Sequence, residues 1–149
     1  MIGRRVALLE QVTVASPAYL AHSGMPDDLA ALASHRAVNF VSSATGRVLP
    51  LEFTVDGSIE TIELQAAVSV SGVELYTQAA LAGLGIVQVP RYHVDDALTD
   101  GRLQVVLAKL PPPPMPISVL YPHNRQLSAR VRVFADWLSE VFAPYNERT

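Results

Sequence analysis

Short aliphatic and β-branched runs alternate with stretches of helical spacing along most of this chain. "QVTVAS" (11–16) is dense in β-branched residues and reads as a strand. Ser16-Pro17 then supplies an N-cap and a first-turn proline, so "PAYLAHSG" reads as a helix stopped at Gly24. "MPDDLAALASH" predicts another helix, with Asp27 and Asp28 favourable at its start. "AVNFVS" (37–42) predicts a short strand and "SATGR" (43–47) a polar turn. Residues 48–64 mostly alternate, and Asp56-Gly57 sits between two strand-like runs as a hairpin turn.

The second half repeats the alternation. "AAVSVS" (66–71) reads as a strand leading into an apolar-faced helix at about 72–82. "GIVQVP" (85–90) is a continuous apolar run suited to a buried parallel sheet. Pro90 opens a helix closed by Gly101, and "RLQVVLA" (102–108) predicts one more strand. Pro111 to Pro114 predicts a stiff polyproline connector. "PISVLYP" (116–122) reads as a final strand. Leu127, Val131, Phe134, Leu138, Val141, Phe142 and Tyr145 then recur at helical spacing. Strands interleaved with helices predict an α/β fold with a largely parallel sheet.

Composition narrows the function more than the fold. Among 149 residues there is no cysteine, which removes disulfides and thiolate metal sites. Net charge is −3 and the arginines are dispersed, so no basic stripe for nucleic acid is visible. No apolar run nears the roughly 18 residues of a membrane span, and the N-terminus is a poor secretory signal. The expectation is a cytoplasmic protein without membrane contact. His22, His35, His93 and His123 fall in separate elements and read as surface or turn residues rather than ligands. The adjacent acids Asp27–Asp28 and Asp95–Asp96 do not face one another on a helix. No nucleophile elbow, phosphate loop or full dinucleotide fingerprint is present. No catalysis, metal or cofactor is expected.

The strand-to-helix junction at Ser69–Val73 carries more chemistry. A helix beginning near Gly72 would present backbone N–H groups at the carboxyl end of a strand, where open α/β sheets bind ligands. Gly72 would let a ligand approach, and Ser71 would cap the helix or donate to an anion. A purely structural cap and turn explains the spacing equally well, here and at the similar junction at Ser16.

The blocks "VASPAYLAHSGMPDDLAALASHRAV", "LAGLGIVQVPRYHVDDALTDGRLQVVL" and "LYPHNRQLSARVRVFADWL" resemble, in order and spacing, the effector-binding domain of LysR-type transcriptional regulators. The resemblance runs from about residue 4 to 143. It implies a fold like the type II periplasmic binding proteins: a lobe with a mixed, largely parallel sheet plus an incomplete second lobe. Residues 15–110 would form lobe II, and residues 1–14 and 115–149 part of lobe I, with crossovers near Val14–Ser16 and Pro111–Ser118. It implies a ligand-sensing module that binds a small acidic metabolite between lobes, at Ser16, Ser42, Ser43, Ser71, Gly72, Val73 and Gly85. Relatives carry Asn-Asp-like residues where this chain has Ser71-Gly72. DNA would be reached only through an N-terminal helix-turn-helix domain outside these residues. Apolar faces shaped for absent lobe I elements imply a homodimer or higher self-association, with exchange of the C-terminal helix. The alternatives are a remnant that only self-associates, or a solute-binding protein of the same fold. A cofactor-bearing deaminase of this scaffold would need a cysteine.

Overall fold

Strand β2 (Gln11–Ala15) carries the sequence Gln-Val-Thr-Val-Ala, and all of it except Gln11 is buried. A β-strand sends successive side chains to opposite faces, so burial of every residue requires cover on both sides. The computed structural model, which describes residues 2–122 and 128–146, supplies both. The chain forms two compact units, Met1–Glu10 with Pro114–Thr149 and Gln11–Pro113.

In the Gln11–Pro113 unit, β2 lies between β8 (Val87–Pro90) and β9 (Gln104–Val105) and runs antiparallel to both. Strand β3 (Asn39–Val41) pairs in parallel with β7 (Ser69–Val70), and a parallel bridge from Ala37 to Ile86 joins this pair to the start of β8. The sheet is therefore continuous in the order β7, β3, β8, β2, β9. All of these strands point one way except β2. A short strand, β4 (Val48–Leu49), also adds antiparallel to β3. The mixed, largely parallel sheet is thus present, with the entering strand as its antiparallel member.

The two faces of this sheet are covered by different elements. Val12 and Val14, with Val87 and Val89, pack against α2 (Val73–Leu81) and α3 (Asp95–Thr99) through Tyr76, Ala79, Ala80 and Ala97. Ala15 and Ile86 face the other way, onto Tyr19 and Leu20 of α1 (Pro17–Ser23) and Leu51 and Phe53 of β5 (Leu51–Val55). Thr13 and Gln88 point to this second face, and Gln88 Nε2 donates to Thr13 Oγ1 (2.9 Å) and to the Glu52 carbonyl (2.8 Å). Gln88 Oε1 accepts from the Glu52 N–H (2.9 Å), and the Gln88 N–H donates to the Tyr76 hydroxyl (3.1 Å). One amide side chain thus ties the sheet to β5, and its own backbone ties the sheet to α2. Each buried polar atom named here has a partner, as burial demands.

Several elements depart from the spacing in the sequence. Asp56 and Gly57 both adopt positive φ (49° and 81°) and join β5 to β6 (Ser58–Ile62), as the hairpin signal requires. Residues 26–35 give only a 3-10 turn, Ala30–Ser34: Asp28 Oδ1 caps the Ala31 N–H and the His35 N–H closes back on Leu32. The helix after Pro90 breaks at Val94 (φ −122°) into a 3-10 turn, Arg91–His93, and α3. The strand at 102–108 shortens to β9, because Leu107 turns to φ 51° just after Val106 donates to the Thr13 carbonyl.

The other unit is built on β1 (Ile2–Leu9), which the Arg4-Arg5 pair hides in the sequence pattern, and β10 (Met115–Tyr121). They pair antiparallel from Ile2–Tyr121 to Leu9–Met115, with an irregularity between Arg5 and Ala7. Helix α4 (Ala129–Phe142) packs on β1 and is capped by Ser128, whose Oγ accepts the Val131 N–H (3.3 Å). Leu127, placed at the start of this helix by its spacing, and His123 lie outside the described residues. Residues 111–114 carry neither helix nor strand, and the unit boundary falls at Pro113. The other boundary falls after Glu10 rather than near Val14, because Gln11–Val14 is hydrogen-bonded to β8.

Two positions in this packing make direct predictions. A Cβ on Gly85 would stand 2.7 Å from the Ala37 carbonyl carbon and 2.9 Å from the Arg36 oxygen, both backbone atoms that cannot swing aside. Gly72, by contrast, has nothing within 4 Å of such an atom, at φ −126°. Gly85→Ala is expected to cost about 1–3 kcal/mol in urea unfolding, as overpacking does, and Gly72→Ala less than about 0.5 kcal/mol. His35, read from sequence as a surface or turn residue, is only 5% exposed. Its Nδ1 lies 2.8 Å from the Tyr19 hydroxyl, whose oxygen accepts the Arg36 N–H at 3.0 Å. A neutral imidazole accepting the Tyr19 proton fits this geometry, and burial lowers the His35 pKa. The unfolded chain therefore binds more protons once pH falls below the ordinary histidine value of about 6.5. The His35 contribution is fully present above that pH and lost below it. The Tm is expected to fall as pH drops below about 6.5, and His35→Gln to flatten that dependence.

Candidate functional site

The direction of β2 sorts the candidate residues into two groups. Strands β3, β7 and β8 run the same way, so their carboxyl ends share one edge of the sheet. Asn39 pairs with Ser69 and Phe40 with Val70, so Ser42 follows β3 and Ser71 follows β7 at the same end of the sheet. The structure thus places Ser42, Ser43, Ser71, Gly72 and Val73 on one edge. Ser42 is half-buried, with its N–H on the Arg47 carbonyl (2.9 Å) and its carbonyl accepting from Gly46 (2.8 Å). Ser43 and Ser71 are exposed.

Helix α2 begins at this edge. Its N-cap is Gly72 rather than Ser71, and no side chain caps it. The expected Ser71 cap is therefore not formed, because the extended backbone of Gly72 (ψ 144°) occupies the capping position. A helix whose first N–H groups meet no capping side chain leaves them for solvent or a ligand. Glu74 in the first turn already complements the helix dipole.

Ser16 and Gly85 lie at the opposite edge. Ser16 follows the carboxyl end of β2, the strand that runs against the others, and Gly85 precedes β8. Ser16 is 3% exposed, and its Oγ accepts the Tyr19 N–H (3.1 Å) as the N-cap of α1. A Cβ on Gly83, at φ 81°, would come 3.4 Å from that Oγ. Gly85 presses on the Arg36–Ala37 backbone. Both candidates are thus explained by packing, and neither shares an edge with Ser42 or Ser71.

The edge that holds Ser71 also holds a residue that spacing alone did not single out. Arg91 follows Pro90 directly at the carboxyl end of β8, and Tyr92 and His93 stack there with ring centroids 4.4 Å apart. The signal was available: the first residues after a buried parallel strand occupy the ligand-binding edge. Gln11 pairs with Pro90, and its Nε2 donates to the Pro113 carbonyl (2.9 Å), so both chain ends of this unit lie at that edge too. A cavity of about 130 Å³ opens elsewhere, among Ala37, Asn39, Leu51 and Glu63, and none of the candidates lines it. Among the described residues, no group of three acidic, histidine or cysteine side chains could hold a metal ion, and no helix is long and apolar enough to cross a membrane.

Comparison with known proteins agrees with this topology. Residues 1–143 match the model of the LysR substrate binding domain. The chain is 36% identical over 145 residues to the HTH-type transcriptional regulator YhjC of Escherichia coli K12, covering 97% of this chain and 48% of that protein. It is 29% identical to the HTH-type transcriptional repressor PA14_22550 of Pseudomonas aeruginosa, covering 96% of this chain and 45% of the repressor. Among solved structures, the regulatory domain of CrgA from Neisseria meningitidis superposes with a TM-score of 0.75 at 26% identity, over 94% of this chain and 68% of that one. The chain spans about half the length of the full regulators it matches. The chain belongs to the LysR substrate binding domain family.

Proposed function

We propose that this chain is the ligand-sensing part of a LysR-type transcriptional regulator, and that it binds a small carboxylate-bearing metabolite at the carboxyl edge of the sheet in the Gln11–Pro113 unit. The observation that carries this reading is the uncapped start of α2 at Gly72, at the edge where the parallel strands β3 and β7 end. Its backbone N–H groups and the Ser42 and Ser71 hydroxyls can donate to a carboxylate. The family match supports sensing rather than catalysis, since the relatives are named as transcriptional regulators. Nothing in the proposal requires a bond to be made or broken. The ligand acts by favouring one arrangement of the protein through its differential affinity, and control of DNA belongs to the complete regulator.

The test is thermal and urea unfolding with aromatic and dicarboxylic acids, beginning with benzoate and succinate. A ligand at 100 times its Kd is expected to stabilise the chain by about 2.7 kcal/mol. Ser71→Trp should abolish that gain while leaving the unliganded chain folded, because Ser71 is exposed. Ser16→Ala should lower stability by about 1 kcal/mol, the loss of an N-cap, yet keep the ligand gain in full. Absence of stabilisation by any acid, or its loss in Ser16→Ala but not in Ser71→Trp, would overturn the assignment.

A further inference from the structure

Hairpin β5–β6 is closed at one end by Asp56-Gly57 and splayed at the other, where it meets β3. Its last paired residues are Leu51 and Ile62. Continuing that register would set Leu49 against Leu64, but Leu49 is already paired with Phe40 of β3. The other leg reaches β3 separately: Gln65 bridges to Arg36, and its carbonyl accepts the Ala37 N–H (3.0 Å). The two legs therefore land four residues apart along the chain, roughly 13 Å at the rise of a strand. The cavity of about 130 Å³ lies in that gap, with Ala37 and Asn39 on one wall, Leu51 on the second and Ile62 to Leu64 on the third. The pairing of both legs with β3 holds it open.

We infer that this cavity is a binding site for a small primary ammonium ion with a short branched alkyl body. Its apolar lining is continuous with the core, since Ala37 and Leu51 are buried and Ile62 and Leu64 pack on the same cluster. Leu49, 52% exposed, stands at the mouth. Asn39 and Glu63 alone among the lining residues carry polar side chains, and no basic residue lines the cavity. Neither side chain makes a hydrogen bond or ion pair with another of the described residues. A carboxylate and an amide oxygen accept from an ammonium group, and the same carboxylate repels an anion. Size sets the rest of the ligand: an apolar cavity of about 150 Å³ admits benzene, so this one takes a body of a few carbon atoms. The inference goes beyond the carboxylate edge at Gly72, because Ser42, Ser71 and Gly72 do not line this cavity and the charge preference is opposite.

Titration of the intact, nitrogen-15-labelled chain with isobutylammonium, isobutanol and isobutyrate tests this, since the three probes share a shape and differ in charge. The amide signals of residues 37–39, 48–51 and 62–64 should move with isobutylammonium at a Kd of about 1–10 mM. Isobutanol should bind at least about threefold more weakly, the worth of a solvent-accessible ion pair, and isobutyrate should leave these signals in place. Glu63→Gln, at an exposed position, should bring isobutylammonium down to the affinity of isobutanol. Leu49→Trp should plug the mouth and weaken both by more than about tenfold, with the unliganded spectrum still dispersed. Ser71→Trp should change neither, so the carboxylate reading can fail while this one stands. No movement of these signals at about 50 mM isobutylammonium would overturn the inference. So would an equal response to all three probes, an affinity indifferent to Glu63→Gln, or amine-induced shifts centred on residues 71–73 and lost in Ser71→Trp.

Discussion

The antiparallel placement of β2 is the constraint on which the Gln11–Pro113 unit depends. This strand enters the unit and is sealed on both edges at once, by β8 along Gln11–Val14 and by β9 along Val14–Ala15. Being sealed, it cannot shift by one residue without turning Val12 and Val14 out of one core and Thr13 out of its bond to Gln88. Its direction also decides what stands at each edge. Because the chain runs up β2 against its neighbours, the helix that follows, α1, starts at the edge where the parallel strands begin. Helix α2 starts at the edge where they end. Two strand-to-helix junctions of similar sequence thereby stand at opposite edges of the sheet.

That division explains the glycines around α2. Gly83, at φ 81°, ends the helix and passes close to the Ser16 hydroxyl, while Gly85 lies against the Arg36–Ala37 backbone. Tyr19 completes the same knot: its hydroxyl bonds His35 and the Arg36 N–H, and the Arg36 carbonyl accepts the Ile86 N–H (2.9 Å). Any side chain larger than hydrogen at Gly85 would push β8 away from the start of β3. The exit of α2 is thus closed by packing, and its entrance at Gly72 is left open. An open end and a locked end on one helix suit a binding element, since the locked end fixes where the open one points.

Much of this fold is legible in the sequence, and the reasons for the misses are local. "GIVQVP" reads correctly as a strand buried on both faces, and Asp56-Gly57 as the two positive-φ positions of a tight hairpin. Hydrophobic period does not encode strand direction, so spacing could not separate Ser16 from Ser71. The family resemblance assigned both to one ligand site, along with Gly85, and only the pairing of β2 tells them apart. Serine is a better N-cap than glycine and the sequence favours Ser71, yet the helix starts at Val73 and Gly72 takes the capping position. His35 gave no signal of burial because its partner, Tyr19, is sixteen residues away. The apolar spacing of α4 was clear, but it could not show that only the Val131–Ala135–Leu138–Phe142 stripe would be covered.

The two units differ in how completely they satisfy their own apolar residues. In the Gln11–Pro113 unit both sheet faces are covered, and the largest buried side chains, Phe53, Leu32, Ile86 and Leu103, are less than 2% exposed. In the other unit a pair of strands carries one helix, with Leu120 of β10 at 64% and the Val133–Trp137 stripe open. An isolated pair of strands is marginal without further cover. The Gln11–Pro113 unit therefore closes a core of its own, whereas α4 of the second unit leaves Val133, Phe134 and Trp137 exposed.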